Sequence, residues 1–233
     1  MSSMTTVGAP AEHRSPAGAD AMLGAGFADP VFDAQRWFRL LMGAMAGPGT
    51  IVEIRPPDET PEPLAPIAAG LLLTLCDDDT PVWLAPRLTE SRWSATWLRF
   101  HTGAPLVEQC EAAAFVVATG AGDCPALEDL GQGSDEYPDR SATLVLPVAR
   151  LGEADRSGST DDPGAPTVRL ALEGPGIDGR RNLAVAGVPE DFPARWCRNR
   201  ARFPRGVDLM LVDPRSFACL PRSTTLAGAE RAG

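Results

Sequence analysis

The sequence contains no lysine: all 21 basic residues of the 233-residue chain are arginine. That absence excludes three kinds of chemistry. A Schiff base to pyridoxal phosphate needs a lysine amine, a Walker A loop needs a lysine for its phosphates, and lysine nucleophiles are missing altogether. Histidine is almost as scarce. His13 lies in an Ala/Gly/Ser/Pro-rich N-terminal stretch, which leaves His101 alone in the body of the chain. A histidine-based metal cluster is therefore excluded, while a carboxylate-only site stays open. The cysteines, Cys76, Cys110, Cys124, Cys197 and Cys219, form no CxxC pair and read as buried free thiols. No cofactor or metal site is expected. No apolar run approaches a membrane span, and the first residues lack the pattern of a secretory signal, so the expected location is the cytoplasm. A formal net charge of −10 argues against a nonspecific nucleic-acid or anionic-membrane surface, but allows a local arginine pocket.

What is present reads as alternating helices and strands. Asp29 is placed to cap a helix running to Met45, with Pro30 at its first position and Val31, Ala34, Phe38, Leu41, Met42 and Met45 on one face; Gly47 and Pro48 stop it. Ile51–Ile54 reads as a short strand, Ile67–Cys76 as a buried helix, and Asp77–Asp79 as a turn before a strand at Val82–Leu84. Glu90–Phe100 has the spacing of an amphipathic helix with Trp93, Trp97 and Phe100 in the core, closed by Thr102 and Gly103. Strands are expected at Ala113–Thr119, Ala142–Ala149, Thr167–Leu172 and Leu183–Val185, a helical turn at Pro125–Leu130 and a helix at Glu190–Arg200. Val207–Val212 reads as the last strand. The expected fold is α/β, a mixed sheet covered by helices. It forms one domain over residues 23–226, with mobile tails at 1–22 and 227–233 and a surface insertion at 152–166.

Four local patterns bear on chemistry. Gly174-Pro175-Gly176-Ile177-Asp178-Gly179 matches the dinucleotide-binding pattern GxGxxG, but a strand-like run follows it where a helix is required, which favours a hairpin turn. His101 sits at a helix end, where it can cap exposed carbonyls or, given an orienting carboxylate, act as a base. Arg195, Arg198, Arg200, Arg202 and Arg205 form the densest basic stretch, either a solvated helix face or a phosphate-holding surface. Ser134–Ser141 brings Asp135, Asp139 and Arg140 directly before the strong strand at Ala142, as functional loop or as strand entry.

Several stretches together resemble one family, PhnH, the H subunit of the bacterial carbon-phosphorus lyase system. They are GFADPVFDAQRWFRLLMGAMAGPGTI from Gly26, LLLTLCDDDTPVW from Leu71, LRFHTGAP from Leu98, GSDEYPDRSATLVL from Gly133, LEGPGI from Leu172, and NRARFPRGVDLMLV from Asn199 through LPRST ending at Thr224. The resemblance implies a fold similar to the large domain of pyridoxal-phosphate-dependent transferases without the cofactor site. It also implies a homodimer that joins the G, I and J subunits of a core complex. That complex serves alkylphosphonate catabolism by transferring ribose 5-triphosphate from ATP to the phosphonate (ribose 1-methylphosphonate 5-triphosphate synthase). The resemblance carries over no catalytic residue.

Two functional readings follow. In the first the chain is a structural or accessory subunit of that complex, in keeping with its few catalytic groups. In the second it is an independent phosphate- or nucleotide-binding protein or enzyme. Arg140, Arg198, Arg202 and Arg205 would then hold the anion, and His101, Asp135 or Asp139 would move protons.

Overall fold

The computed structural model describes residues 23–24, 26–153 and 166–227. The expected tails at 1–22 and 227–233, apart from Ala227, and residues 154–165 of the expected insertion lie outside the described residues. Helix α1, Pro30–Ala46, begins as its sequence dictates: Asp29 Oδ1 accepts the Phe32 N–H at 3.1 Å, and the Asp29 N–H donates to Asp33 Oδ2 at 3.0 Å. Strand β1, Val52–Glu53, leads to α2, Pro66–Leu75, which is buried from Ile67 through Leu72. Strand β2, Val82–Leu84, follows. Ser91 divides the next helical region into α3, Pro86–Glu90, and α4, Arg92–Thr102, which Gly103 closes at φ +74°.

The chain then runs through β3 (Phe115–Val117), β4 (Thr143–Pro147), β5 (Arg150–Glu153), β6 (Thr167–Glu173) and β7 (Arg181–Ala186). Helix α5 (Phe192–Arg200), β8 (Asp208–Val212), β9 (Ser216–Leu220) and β10 (Thr225–Leu226) complete it. The strands form a six-stranded mixed sheet, ordered β1-β9-β8-β4-β3-β2, and a four-stranded antiparallel sheet, ordered β10-β6-β7-β5. In the larger sheet β2, β3, β4 and β8 are parallel neighbours, and β9 runs antiparallel to both strands it pairs with, β8 and β1.

Both faces of the larger sheet are covered, so its central strands are continuous apolar runs whose side chains alternate between two cores. Val145, Met210, Val212, Phe217 and Cys219 face a core shared with α1, α2 and α4. Leu144, Leu146, Leu209, Leu211, Ala218 and Leu220 face a second core, closed by Leu170, Leu172, Leu183 and Val185 of the smaller sheet and by Phe192 and Trp196 of α5. Among the described residues no helix is long and apolar enough to cross a membrane.

Four expectations are corrected. Helix α1 buries Trp37, Leu41 and Ala44, while Val31, Phe38 and Met42 of the expected core face are exposed. The cause lies in α2: a Cβ at Gly70 would stand 2.4 Å from the Trp37 ring, so the glycine opens the slot the indole fills. In α4 Trp97 is fully buried, but Phe100 is exposed and Trp93 half-buried. Val207–Val212 is not the last strand, because β9 and β10 follow it. The expected insertion at 152–166 starts inside strand β5, since Gly152 and Glu153 are held antiparallel to Ala184 and Leu183 of β7. The GxGxxG stretch is the turn between antiparallel β6 and β7, as its flanking residues indicated.

Candidate functional site

Strands β4 and β8 are parallel neighbours, with Thr143 beside Asp208, so the segments entering them lie side by side. This places the Ser134–Ser141 turn next to the loop that carries Phe203, Arg205 and Gly206. Strand β9 returns antiparallel to β8, with Leu220 opposite Leu209, and delivers Arg222 beside Asp208. Arg222 is the hub of the region. Its backbone N–H donates to Asp208 Oδ1 at 2.7 Å, and its Nη2 stands 3.5 Å from Asp208 Oδ2. Its Nη1 donates to the Pro138 carbonyl, to the Ser141 hydroxyl and, at 3.1 Å, to the Gly206 carbonyl. The side chains of this pair are only 18% and 15% exposed. Burial pushes the Asp208 carboxyl above its ordinary pKa, against the opposing pull of the Arg222 N–H and guanidinium.

Buried Asn199 adds a second tie. Its Nδ2 donates to the Val207 carbonyl at 2.9 Å, and its Oδ1 accepts the Val207 N–H at 2.9 Å, which joins the last turn of α5 to the start of β8. Arg222, Asp208 and Asn199 are not among the candidates that charge and spacing single out. Their signal was present in the resembling stretches NRARFPRGVDLMLV and LPRST, but nothing local marks residues 14 apart as a pair.

The structure brings most of the candidate residues to this region. Arg205 Nε lies 3.2 Å from Asp135 Oδ1, linking the arginine stretch to the polar turn. Arg140 lies over the Tyr137 ring at 4.1 Å, and Arg200 over Phe203 at 4.5 Å. Asp139 is exposed on the turn between them. Arg198 Nε donates to Glu128 Oε1 at 2.8 Å; that bond, the Glu128 backbone and the charges of Arg198 and half-buried Arg202 hold the Glu128 carboxyl below its ordinary pKa. Arg195 pairs with both oxygens of Asp191 at 2.9 Å.

His101 does not join them. Its Nε2 meets the Leu23 carbonyl at 3.0 Å and so carries the proton there, and its ring packs 4.6 Å from Trp97 and 5.0 Å from Phe100. The imidazole ties the segment before α1 to the end of α4, on the face of the sheet that carries the first core.

A second polar region lies where the smaller sheet meets the α1–β1 loop. Arg181 Nη1 donates to the Gly47 carbonyl, the Pro48 carbonyl and Thr50 Oγ1 at 2.9, 2.8 and 2.7 Å, beside an open cleft of about 660 Å³. Gly176 packs so closely on the end of α1 that a Cβ would stand 1.9 Å from the Ala46 carbonyl oxygen. These contacts give the GPG sequences at 47–49 and 174–176 a common structural purpose.

Chemically, the first region offers guanidinium groups on aromatic rings and carboxylates, an arrangement suited to contacting an anion or a protein surface. Among the described residues no three His, Cys, Asp or Glu side chains gather as a metal site requires. Pyridoxal phosphate does not fit the donor set, because the chain has no lysine to bind it covalently.

The chain is 40% identical over 200 residues to the alpha-D-ribose 1-methylphosphonate 5-triphosphate synthase subunit PhnH of Rhizobium meliloti (strain 1021), covering 86% of this chain and 93% of that protein. It is 32% identical over 190 residues to HtxG of Stutzerimonas stutzeri, whose name places it with C-P lyase subunits, covering 82% and 84%. The model of the family described as bacterial phosphonate metabolism protein (PhnH) matches residues 25–227, and the chain belongs to that family.

Proposed function

We propose that this chain is a required accessory subunit of a carbon-phosphorus lyase complex. The complex transfers ribose 5-triphosphate from ATP to an alkylphosphonate and releases adenine. The observation that carries this reading is the 40% identity to the Rhizobium meliloti synthase subunit across 93% of its length. In this reading residues 23–226 form a single cytoplasmic domain, a homodimer that joins G, I and J subunits. Its fold is a relative of the large domain of pyridoxal-phosphate transferases, consistent with the parallel β2-β3-β4-β8 core. The test is turnover of ATP and methylphosphonate by the purified chain and by the assembled complex. Activity confined to the complex and lost without this chain is expected; equal activity in the lone chain overturns the reading.

A second reading is favoured by Arg140 and Arg200, whose guanidinium groups lie on aromatic rings and make no ion pair among the described residues. Together with Arg198, Arg202 and Arg205 they would hold the phosphates of ATP or of the ribosylated product, with Asp135 or Asp139 near them. Calorimetry with each ligand on the isolated chain decides: heat that Arg140→Ala abolishes supports an arginine pocket, and absence of heat removes it.

A further inference from the structure

Helix α1 turns two apolar stripes outward and inward, and only the inner one is used. Val31 is 63% exposed, Phe32 70%, Phe38 49% and Met42 54%. Val31, Phe38 and Met42 lie at i, i+7 and i+11 on one line of the helix, with Phe32, Arg36, Arg39 and Gly43 along its flank. Scattered single apolar residues on a surface need no explanation, but four large ones on one 17-residue helix do. Gly43 is a second, independent feature. It sits inside the helix, where glycine weakens the structure relative to alanine, and nothing lies within 4 Å of where its Cβ would be. No described part of this chain makes use of its small size.

The charges on this face indicate what covers it. Arg36 makes no ion pair among the described residues, and Arg39 has only a 3.3 Å hydrogen bond to Gln35. The one acid of the helix, Asp33, is half-buried and occupied with the N-terminal cap. A second copy of the helix, packed about a two-fold axis near Phe38, would set arginine against arginine with no carboxylate between them. A different chain that supplies carboxylates resolves this.

We infer that the outer face of α1 is a docking surface for an apolar, carboxylate-edged helix of another subunit, which fills the stripe of Val31, Phe32, Phe38 and Met42, approaches closely at Gly43, and pairs with Arg36 and Arg39. This rests on the subunit reading above and adds to it a surface and a partner chemistry. The mode is a helix laid into an apolar face, with rim charges setting orientation.

The test uses the full chain co-expressed with G, I and J subunits of the complex, with affinity measured on the purified assembly. Phe38→Glu/Met42→Glu is expected to weaken assembly by roughly tenfold or more while leaving the thermal midpoint of the lone chain unchanged. Arg36→Gln/Arg39→Gln, at two exposed positions, is expected to weaken it less and to flatten its salt dependence. Wild-type affinity and salt dependence in both variants overturns the inference and leaves the subunit reading standing. Failure of the wild-type chain to assemble overturns that reading, and this inference with it. A change in the mass of the lone chain with Phe38→Glu/Met42→Glu would instead identify a self-interface. Faster trypsin cleavage at Arg14 in that variant would identify the chain's own first residues as the occupant. Either result contradicts the inference.

Discussion

Arg222 holds Asp208 by backbone and side chain together, its N–H 2.7 Å from Oδ1 and its Nη2 3.5 Å from Oδ2. The same guanidinium bridges the entries of β4 and β8 through the Pro138 and Gly206 carbonyls and the Ser141 hydroxyl. Removing one partner of such a pair leaves the other charge and several acceptors buried without compensation. Arg222→Met is therefore expected to lower unfolding free energy by about 2–4 kcal/mol. Urea unfolding checks this: a lower midpoint at unchanged slope is expected, and a shift within error would remove Arg222 as the hub.

Asp208 also gives a pH dependence with a definite sign. Its native carboxyl titrates above its ordinary value because burial outweighs the Arg222 contacts. The native state thus keeps its proton at a pH where the unfolded chain, titrating near ~3.9, has lost it. Its stabilising contribution is complete below the unfolded value and declines as pH rises through the raised native value. Asp208→Asn cannot titrate, so wild-type stability minus Asn-variant stability is expected to fall across that window. A difference that grows with pH would mean the Arg222 contacts outweigh burial.

The contact between α1 and the β6–β7 turn is tested at Gly176, which has φ +81° and no room for a Cβ. Gly176→Ala combines backbone strain with a clash against the Ala46 carbonyl, and a loss of roughly 2–4 kcal/mol is expected. Gly179→Ala, also at positive φ but with open space around its Cβ, should cost only about 1 kcal/mol. Equal losses at the two positions would show that the backbone conformation, not the close approach, is what matters.

Burial sets the thiol reactivity. Cys76 and Cys219 are buried, and desolvation raises their pKa values to about 12, with the nearby charges of Asp77 and Asp208 adding to the shift. Cys124 is raised to about 11 despite the Arg195 charge. At mildly alkaline pH a thiol-specific reagent is expected to leave Cys76 and Cys219 unmodified in native protein and to reach them on unfolding. Rapid native labelling of either would contradict their placement between sheet and helices.

The features legible in the sequence were those encoded locally. Asp29-Pro30 marked the start of α1, Gly103 the end of α4, and the absence of a helix after Gly179 identified a hairpin where a nucleotide fingerprint might have been read. What was not legible depended on partners distant in the chain. Helix α1 carries two apolar stripes, and only Gly70, thirty-three residues beyond Trp37, selects the inner one. Strand β9 is buried on both faces and lacks the alternation that marks a half-exposed strand. The arginine stretch was visible as charge, but its pairing with Glu128 and Asp135, and the placement of His101 against Leu23 rather than a carboxylate, arise only from the fold. Arg222 was visible only as part of a familiar run of residues, because its acceptors are spread from Pro138 to Asp208.

That this chain functions within an assembly is tested most directly by the native mass of the affinity-purified chain after co-expression with the proposed G, I and J subunits. A stoichiometric complex containing all four chains is expected. A chain recovered free of those partners, and able alone to transfer ribose triphosphate from ATP to methylphosphonate, would contradict it.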